Sequence, residues 1–321
     1  MTQHYVAALA AASLIALACA AHAQSYPTKP VRVIIPAPVG GGVDTIGRAV
    51  SQKLQDALGQ PFVADNRPGA GTVIGSELTA KAPPDGHTVL FMTNSHAINA
   101  AVRKHLKYDA LKDFSAISLL AISPYLVVVH PSVPAKSTAD LIALAKAKAG
   151  GVNFASAGTG STAHLAGEYF KHMAGIDIVH VPYKGAGPAL TDLMGGQVQM
   201  LITGYSSAIG HVKNGKLRAL AVTGAKRLSA NPDLPTIGET VKGYEVTSWY
   251  GFLAPRRTPE AIIARLHKEI SAVVKRPDVI ERLIVFGIEP EGSTPQEFRE
   301  AIGHEIATWR KVVQMAKVEL Q

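Results

Sequence analysis

Val31-Arg32-Val33-Ile34-Ile35 runs directly into Pro36-Ala37-Pro38-Val39-Gly40-Gly41-Gly42-Val43 and then Asp44. The first five residues are β-branched and apolar at all positions but one, the composition of a strand. The next eight are proline and glycine punctuation and read as a loop. Beyond Asp44, the residues Ile46, Ala49, Val50, Leu54, Ala57 and Leu58 recur at helical spacing, and Gly59 follows as a natural C′ residue. A strand, a glycine loop and a helix in that order open an α/β unit.

The same theme continues along the chain. Phe62-Val63-Ala64 leads to Asn66-Arg67-Pro68-Gly69-Ala70-Gly71 and a short helix, and Pro84-Asp85-Gly86 is a turn before a strand from Thr88 to Met92. Leu126 to Val129 is unbroken apolar sequence, as in a strand covered on both faces. Ser137-Thr138-Ala139-Asp140 predicts a capping box. Phe154-Ala155 enters a second glycine turn, Ser156-Ala157-Gly158-Thr159-Gly160-Ser161-Thr162, and Leu165, Tyr169 and Met173 mark the helix after it, closed by Gly175. Strands are expected at 179–181, 198–202 and 217–223. Thr258-Pro259 and Thr294-Pro295-Gln296-Glu297 each supply N-cap and N1 residues for C-terminal helices.

The 321 residues are 47% hydrophobic and 17% charged, ordinary for a folded protein. Residues 1–23 carry no Lys, Arg, Asp or Glu and end in Ala21-His22-Ala23, a small-x-small site, so they read as a secretory signal peptide cleaved after Ala23. The apolar run at 6–21 is shorter than the roughly 20 residues that a membrane span needs. Cys19 is the only cysteine, and Ala16 stands where a lipoprotein signal has leucine. After cleavage no cysteine remains for disulfides, thiolate metal sites or nucleophilic catalysis. The net charge of +8 comes from dispersed bases such as Lys213, Lys216, Arg218, Lys226 and Arg227, with no dense basic run, so nucleic acid is not expected as a partner.

Glycine turns that open helices suit anions. The first helical turn leaves N–H groups without intrahelical acceptors, glycine lets a ligand approach them, and the helix dipole favours negative charge. Ser156, Ser161 and Thr162 add hydroxyls at the second turn. Simple N-capping by Asp44, Ser161 or Thr162 explains the same residues, and spacing does not separate the two readings. Arg48 and Arg67 lie near the turns and read as structural or surface residues, so a carboxylate is expected to be held by amides and hydroxyls. Gly69-Ala70-Gly71 followed by Gly75 misses the dinucleotide spacing, and no P-loop lysine follows any glycine. The histidines His96, His105, His130, His164, His172, His180 and His211 are scattered, and no metal or cofactor is expected. A hydrolase using Ser161 and His164, one helical turn apart, is the alternative, although Gly158-Thr159-Gly160-Ser161 is not a nucleophile elbow.

Taken in order, these landmarks resemble the Bug proteins, extracytoplasmic solute receptors related to the binding component of tripartite tricarboxylate transporters. The resemblance runs from Tyr26 to Leu320. It is carried by Gly40-Gly41-Gly42-Val43-Asp44-Thr45-Ile46-Gly47-Arg48, by Asn66 to Gly71, by Gly160-Ser161-Thr162-Ala163-His164-Leu165-Ala166-Gly167-Glu168, by Val181-Pro182-Tyr183-Lys184-Gly185, by Gly195-Gly196-Gln197-Val198 and by Lys216 to Thr223. It implies a type II periplasmic-binding-protein fold, two α/β lobes joined by two crossing strands near Ser123-Pro124 and Thr247-Ser248. One lobe is then 24–123 plus 249–321 and the other 124–248.

The function implied is that of a periplasmic receptor, not an enzyme, which captures a small carboxylic acid between its lobes for uptake or sensing. Its partner is expected to be a tripartite tricarboxylate transporter membrane component or a sensor, and the receptor a monomer. The implied ligand contacts are Val39, Gly40, Gly41 and Asp44 on the first glycine loop, Asn94 and His96 after the next strand, and Ser156, Ala157, Gly158, Ser161 and Thr162 on the second glycine loop. Thr203 completes the set. Many relatives carry an acidic residue there, so a neutral Thr203 favours plain acids over amino acids.

Overall fold

The structure is a computed structural model that describes residues 26–318; the expected leader at 1–23, with Cys19, lies outside them. In chain order the elements are β1 (Val31–Ile35), α1 (Gly42–Leu58), β2 (Phe62–Asn66), α2 (Val73–Ala80), β3 (Thr88–Thr93), α3 (Ser95–Val102) and β4 (Phe114–Val129). Then come α4 (Thr138–Ala147), β5 (Asn153–Ser156), α5 (Thr162–Ala174), β6 (Val179–Pro182), α6 (Ala186–Met194), β7 (Met200–Gly204), α7 (Tyr205–Lys213) and β8 (Arg218–Val222). The chain finishes with β9 (Thr247–Pro255), α8 (Glu260–Val274), α9 (Pro277–Val285), β10 (Glu289–Pro290) and α10 (Pro295–Met315).

The strands line up as β2-β1-β3-β9-β4-β7-β5-β6, with β8 and β10 also paired to β4. Strands β1, β2 and β3 are parallel, and so are β5, β6 and β7. Strand β4 belongs to both groups. Phe114 to Pro124 pair with β9, and Tyr125 to Val129 pair with β7. The change of partner falls at Pro124, which has no N–H to give to a ladder. Thr247 and Ser248 of β9 lie opposite Pro124 and Ser123. Tyr125 lies opposite Gly204 at the carboxyl end of β7, and Tyr250 opposite Thr93 at the carboxyl end of β3. The carboxyl ends of both parallel groups therefore meet at the two crossing segments, the edge on which open α/β sheets place ligands.

Side-chain alternation explains why β1 has no polar face. Val31, Val33 and Ile35 pack with Phe91, Val50 and Leu54, while Ile34 packs with Leu90, Met92 and Phe298 on the other side. Both faces of this sheet are covered by helices, so both are apolar. In the second sheet Val127, Val129 and Phe154 line one face and Leu126, Val128 and Ala155 the other. Helix α10 contributes to two cores. Phe298, Ile302 and Ile306 pack on the first sheet, and one turn later Trp309, Val312 and Val313 join the cluster of Phe154, Phe170 and Ile202 on the second.

Local signals act largely where the sequence puts them. Gly59 and Gly175 terminate α1 and α5 in left-handed conformation, at φ 70° and 60°. Thr294 and Glu297 form the capping box of α10. Two details differ. At α4, Ser137 caps the Asp140 N–H, but the Asp140 carboxylate accepts from Lys136, so the box is half made. At α8 the helix begins one residue later than expected, because the Thr258 hydroxyl turns back to donate to the Pro255 carbonyl.

Candidate functional site

A cavity of about 320 Å³ lies where the carboxyl edges face one another. One wall is the second glycine loop, Ala157 to Thr162; the other is Gly71 with Ser95, Ile98, Asn99, Val102 and Arg103. Helix α5 begins at this cavity and brings the partial positive charge of its N-terminus to it, while α3 runs along the cavity from Ser95 to Val102. The volume falls at the lower end of the roughly 300–1,000 Å³ usual for small-molecule sites.

The glycine loop is held from below by hydrogen bonds. The Ser156 hydroxyl accepts the Gly158 N–H and lies 2.7 Å from His180 Nε2. Ser161 is the N-cap of α5 and accepts the His164 N–H. The Gly160 N–H donates to His164 Nδ1, and the His164 and His180 rings stack 3.8 Å apart. Burial holds both imidazoles well below their usual range, at about 4, and for His180 the neighbouring His164 adds to the shift. A neutral His164 is what the loop needs, since a protonated Nδ1 cannot accept from Gly160. The same bonds correct the hydrolase alternative: the Ser161 hydroxyl caps a helix and the His164 ring holds backbone, so neither is arranged as nucleophile and base.

The first glycine loop is built differently. Asp44 is only 2% exposed and accepts from the Gly40 N–H, Arg48 Nε and Asn66 Nδ2. Burial alone would raise its carboxyl, but these donors outweigh it and hold the group below the usual range. Asp44 is thus a brace for the loop, with Gly41 as the N-cap of α1. Val39 is 73% exposed, and Val39, Gly40 and Gly41 are not among the walls of the cavity.

Ser156, beneath the second loop, is also off the cavity walls, and so are three other expected contacts. Asn94 is buried and spends its amide on the crossing strand, donating to the Thr247 carbonyl and accepting from the Ser248 hydroxyl. His96 is 0% exposed, packed between Tyr108 and Phe114 with Nε2 on the Ala110 carbonyl, and cannot touch a ligand. The family resemblance implied a ligand contact here, but its side chain points into the core. Thr203 is 4% exposed, opposite Leu126 inside the β4–β7 ladder, so the inference from its neutral side chain loses its basis.

Two residues escape the sequence reading. Arg103, just after α3, is the only charged side chain on the walls of the cavity. Tyr125, at the partner change of β4, reaches both halves: burial raises its hydroxyl's pKa, and hydrogen bonds with Thr162 and Ser248 oppose that rise. A pattern search for glycine loops finds neither, because one follows a helix and the other sits in mid-strand. A second cavity, about 610 Å³, lies against α10 and the start of β9. Glu245, Glu291, Glu297 and Glu305 line it with His304 as the one basic side chain, a wall that repels anions. Among the described residues no group of three His, Cys, Asp or Glu could hold a metal ion.

Residues 46–318 match the family described as Tripartite tricarboxylate transporter family receptor. The chain is 36% identical to BugT of Bordetella pertussis over 310 residues, 95% of this chain and 94% of BugT. A Rhodopseudomonas palustris protein solved with adipate is 37% identical, with a TM-score of 0.78 over 92% of this chain and 99% of that one. MatC from Rhodopseudomonas palustris, solved with bound malate, is 30% identical with a TM-score of 0.72, over 90% and 100% of the two chains.

Proposed function

The chain belongs to the tripartite tricarboxylate transporter receptor family, and from that premise we propose that it is a periplasmic receptor that captures a small carboxylate in the cavity between Ala157–Thr162 and α3. Its fold is the type II periplasmic-binding-protein fold, two α/β lobes joined by two crossing strands. The lobes are assigned as 24–123 plus 249–321 and 124–248. The partner change of β4 between Pro124 and Tyr125 supports that division, as does the position of Thr247 and Ser248 opposite it. Residues 1–23 direct secretion and are removed after Ala23.

One observation carries the reading: the N-terminus of α5, the hydroxyls of Ser95, Ser161 and Thr162 and one guanidinium line the same cavity, with no carboxylate among its walls. That is an anion site by composition. Relatives solved with adipate and malate support the carboxylate class. Because the walls come from both sides of the crossing strands, a ligand that bridges them stabilises the closed arrangement. The closed surface is what a membrane component of the transporter or a sensor reads.

The test is a thermal-shift screen of the mature chain against mono-, di- and tricarboxylic acids, followed by calorimetry. A cognate acid at 100 times its dissociation constant stabilises the fold by about 2.7 kcal/mol. Ser161→Ala weakens binding and gives no turnover of esters or amides in either protein. A panel in which no acid shifts the melting temperature, or hydrolysis that the variant abolishes, refutes the receptor reading.

A further inference from the structure

Arg103 stands apart from the other arginines of the chain in how it is held. Asn99 is fixed first: its Nδ2 donates to the Gly71 carbonyl at 2.7 Å and to the Thr72 hydroxyl at 3.0 Å. That leaves Asn99 Oδ1 facing Arg103, whose Nε donates to it at 3.0 Å. The guanidinium is thereby laid over Gly71, where a Cβ would come within 2.9 Å of Nη2. Gly71 is at φ +62°, so glycine there serves both the turn and the room for the arginine. Among the described residues no carboxylate pairs with Arg103, and the Nε bond is the one hydrogen bond of its guanidinium. A half-buried cation, oriented by an amide that is itself pinned and left without a counter-charge, is arranged for an anion that the protein does not supply.

We propose that Arg103 is the specificity-determining residue of the site, reading a second anionic group of the ligand while the first is held at the N-terminus of α5. The proposal rests on the reading of this cavity as the ligand site and adds to it a demand on the ligand. The two poles of the cavity differ in kind. At Ser161 and Thr162 the charge is spread over backbone amides and hydroxyls, which accept any carboxylate. At Arg103 the charge is a planar fork, which favours a carboxylate and has no use for a methyl terminus. Desolvating an unpaired guanidinium against an alkyl end costs free energy, so the same arginine that attracts a diacid disfavours the monoacid of equal length. Asn99 is a positioning residue: it sets where the fork lies.

Isothermal titration calorimetry tests this with two matched series, succinate to adipate and butanoate to hexanoate, on the mature wild type, Arg103→Gln, Arg103→Lys and Asn99→Ala. The expected result is that the wild type prefers the best diacid over its matched monoacid by tenfold or more. Arg103→Gln brings that ratio below threefold. Arg103→Lys keeps part of it, because a point charge replaces the fork, and Asn99→Ala lies between wild type and Arg103→Gln. A ratio that is the same in wild type and Arg103→Gln overturns the proposal while leaving the receptor reading intact, as does a wild type that prefers monoacids. Failure of every acid in both series to bind the wild type, with the protein folded by circular dichroism, overturns this proposal; the receptor reading falls with it only when the wider panel of mono-, di- and tricarboxylic acids also gives no shift.

Discussion

Replacing Glu305 by Gln should improve stability relative to the wild type more at pH 8 than near pH 4. Glu305 lies on α10 where that helix passes from one core to the other, and its carboxylate accepts from Trp249 Nε1 at 2.6 Å and Trp309 Nε1 at 2.9 Å. Burial pushes its carboxyl up to about 7 from an ordinary value near 4.5, and the two indoles and Asn94 offset only part of that rise. Among the described residues it has no cationic partner. A carboxyl whose folded pKa is raised binds its proton more tightly in the folded state. The unfolded chain therefore ionises first, and stability falls as pH climbs from about 4.5 to about 7, then levels. At 1.36 kcal/mol per tenfold, that interval corresponds to about 3 kcal/mol, an order-of-magnitude figure. Gln carries no such slope; its amide nitrogen cannot accept from the indole it faces, which offsets the variant equally at every pH, so the change in the difference with pH is the readout. Urea melts of both proteins at pH 4.5, 6 and 8 give the difference directly. If it stays constant across that range, Glu305 does not titrate there and the argument from its burial is wrong.

The buried histidines act in the opposite sense: with His96, His164 and His180 all depressed to about 4 by burial, stability should rise as pH goes from about 4 to 6.5 and be lost on acidification through that window. His164→Asn, which can still accept from Gly160, should flatten part of that slope in thermal melts, and an unchanged slope counts against it. Gly251→Ala drives a methyl into the Phe298 ring and should cost about 1–3 kcal/mol by overpacking, read from the urea midpoint. His96→Ala should destabilise by about 2–4 kcal/mol yet leave the dissociation constant of a bound acid within twofold, since His96 is core; a large loss of affinity would return it to the site.

Much of the fold was readable because local chemistry and tertiary demand agree. The Val31–Ile35 run, Gly59, Gly175 and the Thr294–Glu297 box each specify the element that forms. The second glycine loop was readable for the same reason: glycines, hydroxyls and a helix start lie together in sequence and in space. The opposite wall was not. Gly71, Asn99 and Arg103 come from separate stretches, and the hydrogen bonds that unite them exist only after folding. Asp44, His96 and Thr203 show the complementary error. Each is a polar residue at a suggestive position, and each is turned inward: Asp44 to brace a loop, His96 to fill a core, Thr203 to sit in a ladder. Position along the chain fixes the neighbourhood of a side chain but not which way it faces.

Helix α10 gives the hinge a mechanical character that two crossing strands alone do not have. Strands can flex at Pro124 with little loss, but a helix anchored at both ends behaves as a stiff strut fixed to two plates. If the halves turn apart, either Phe298, Ile302 and Ile306 stay seated or Trp309, Val312 and Val313 do, unless the helix bends between them. Unseating one such side chain costs about 2 kcal/mol, more than the 1.4 kcal/mol that shifts a two-state population tenfold. On the two-lobe reading proposed above, turning the halves apart therefore has to overcome packing held by the final helix, whose residues are not among the walls of the cavity between Ala157–Thr162 and α3.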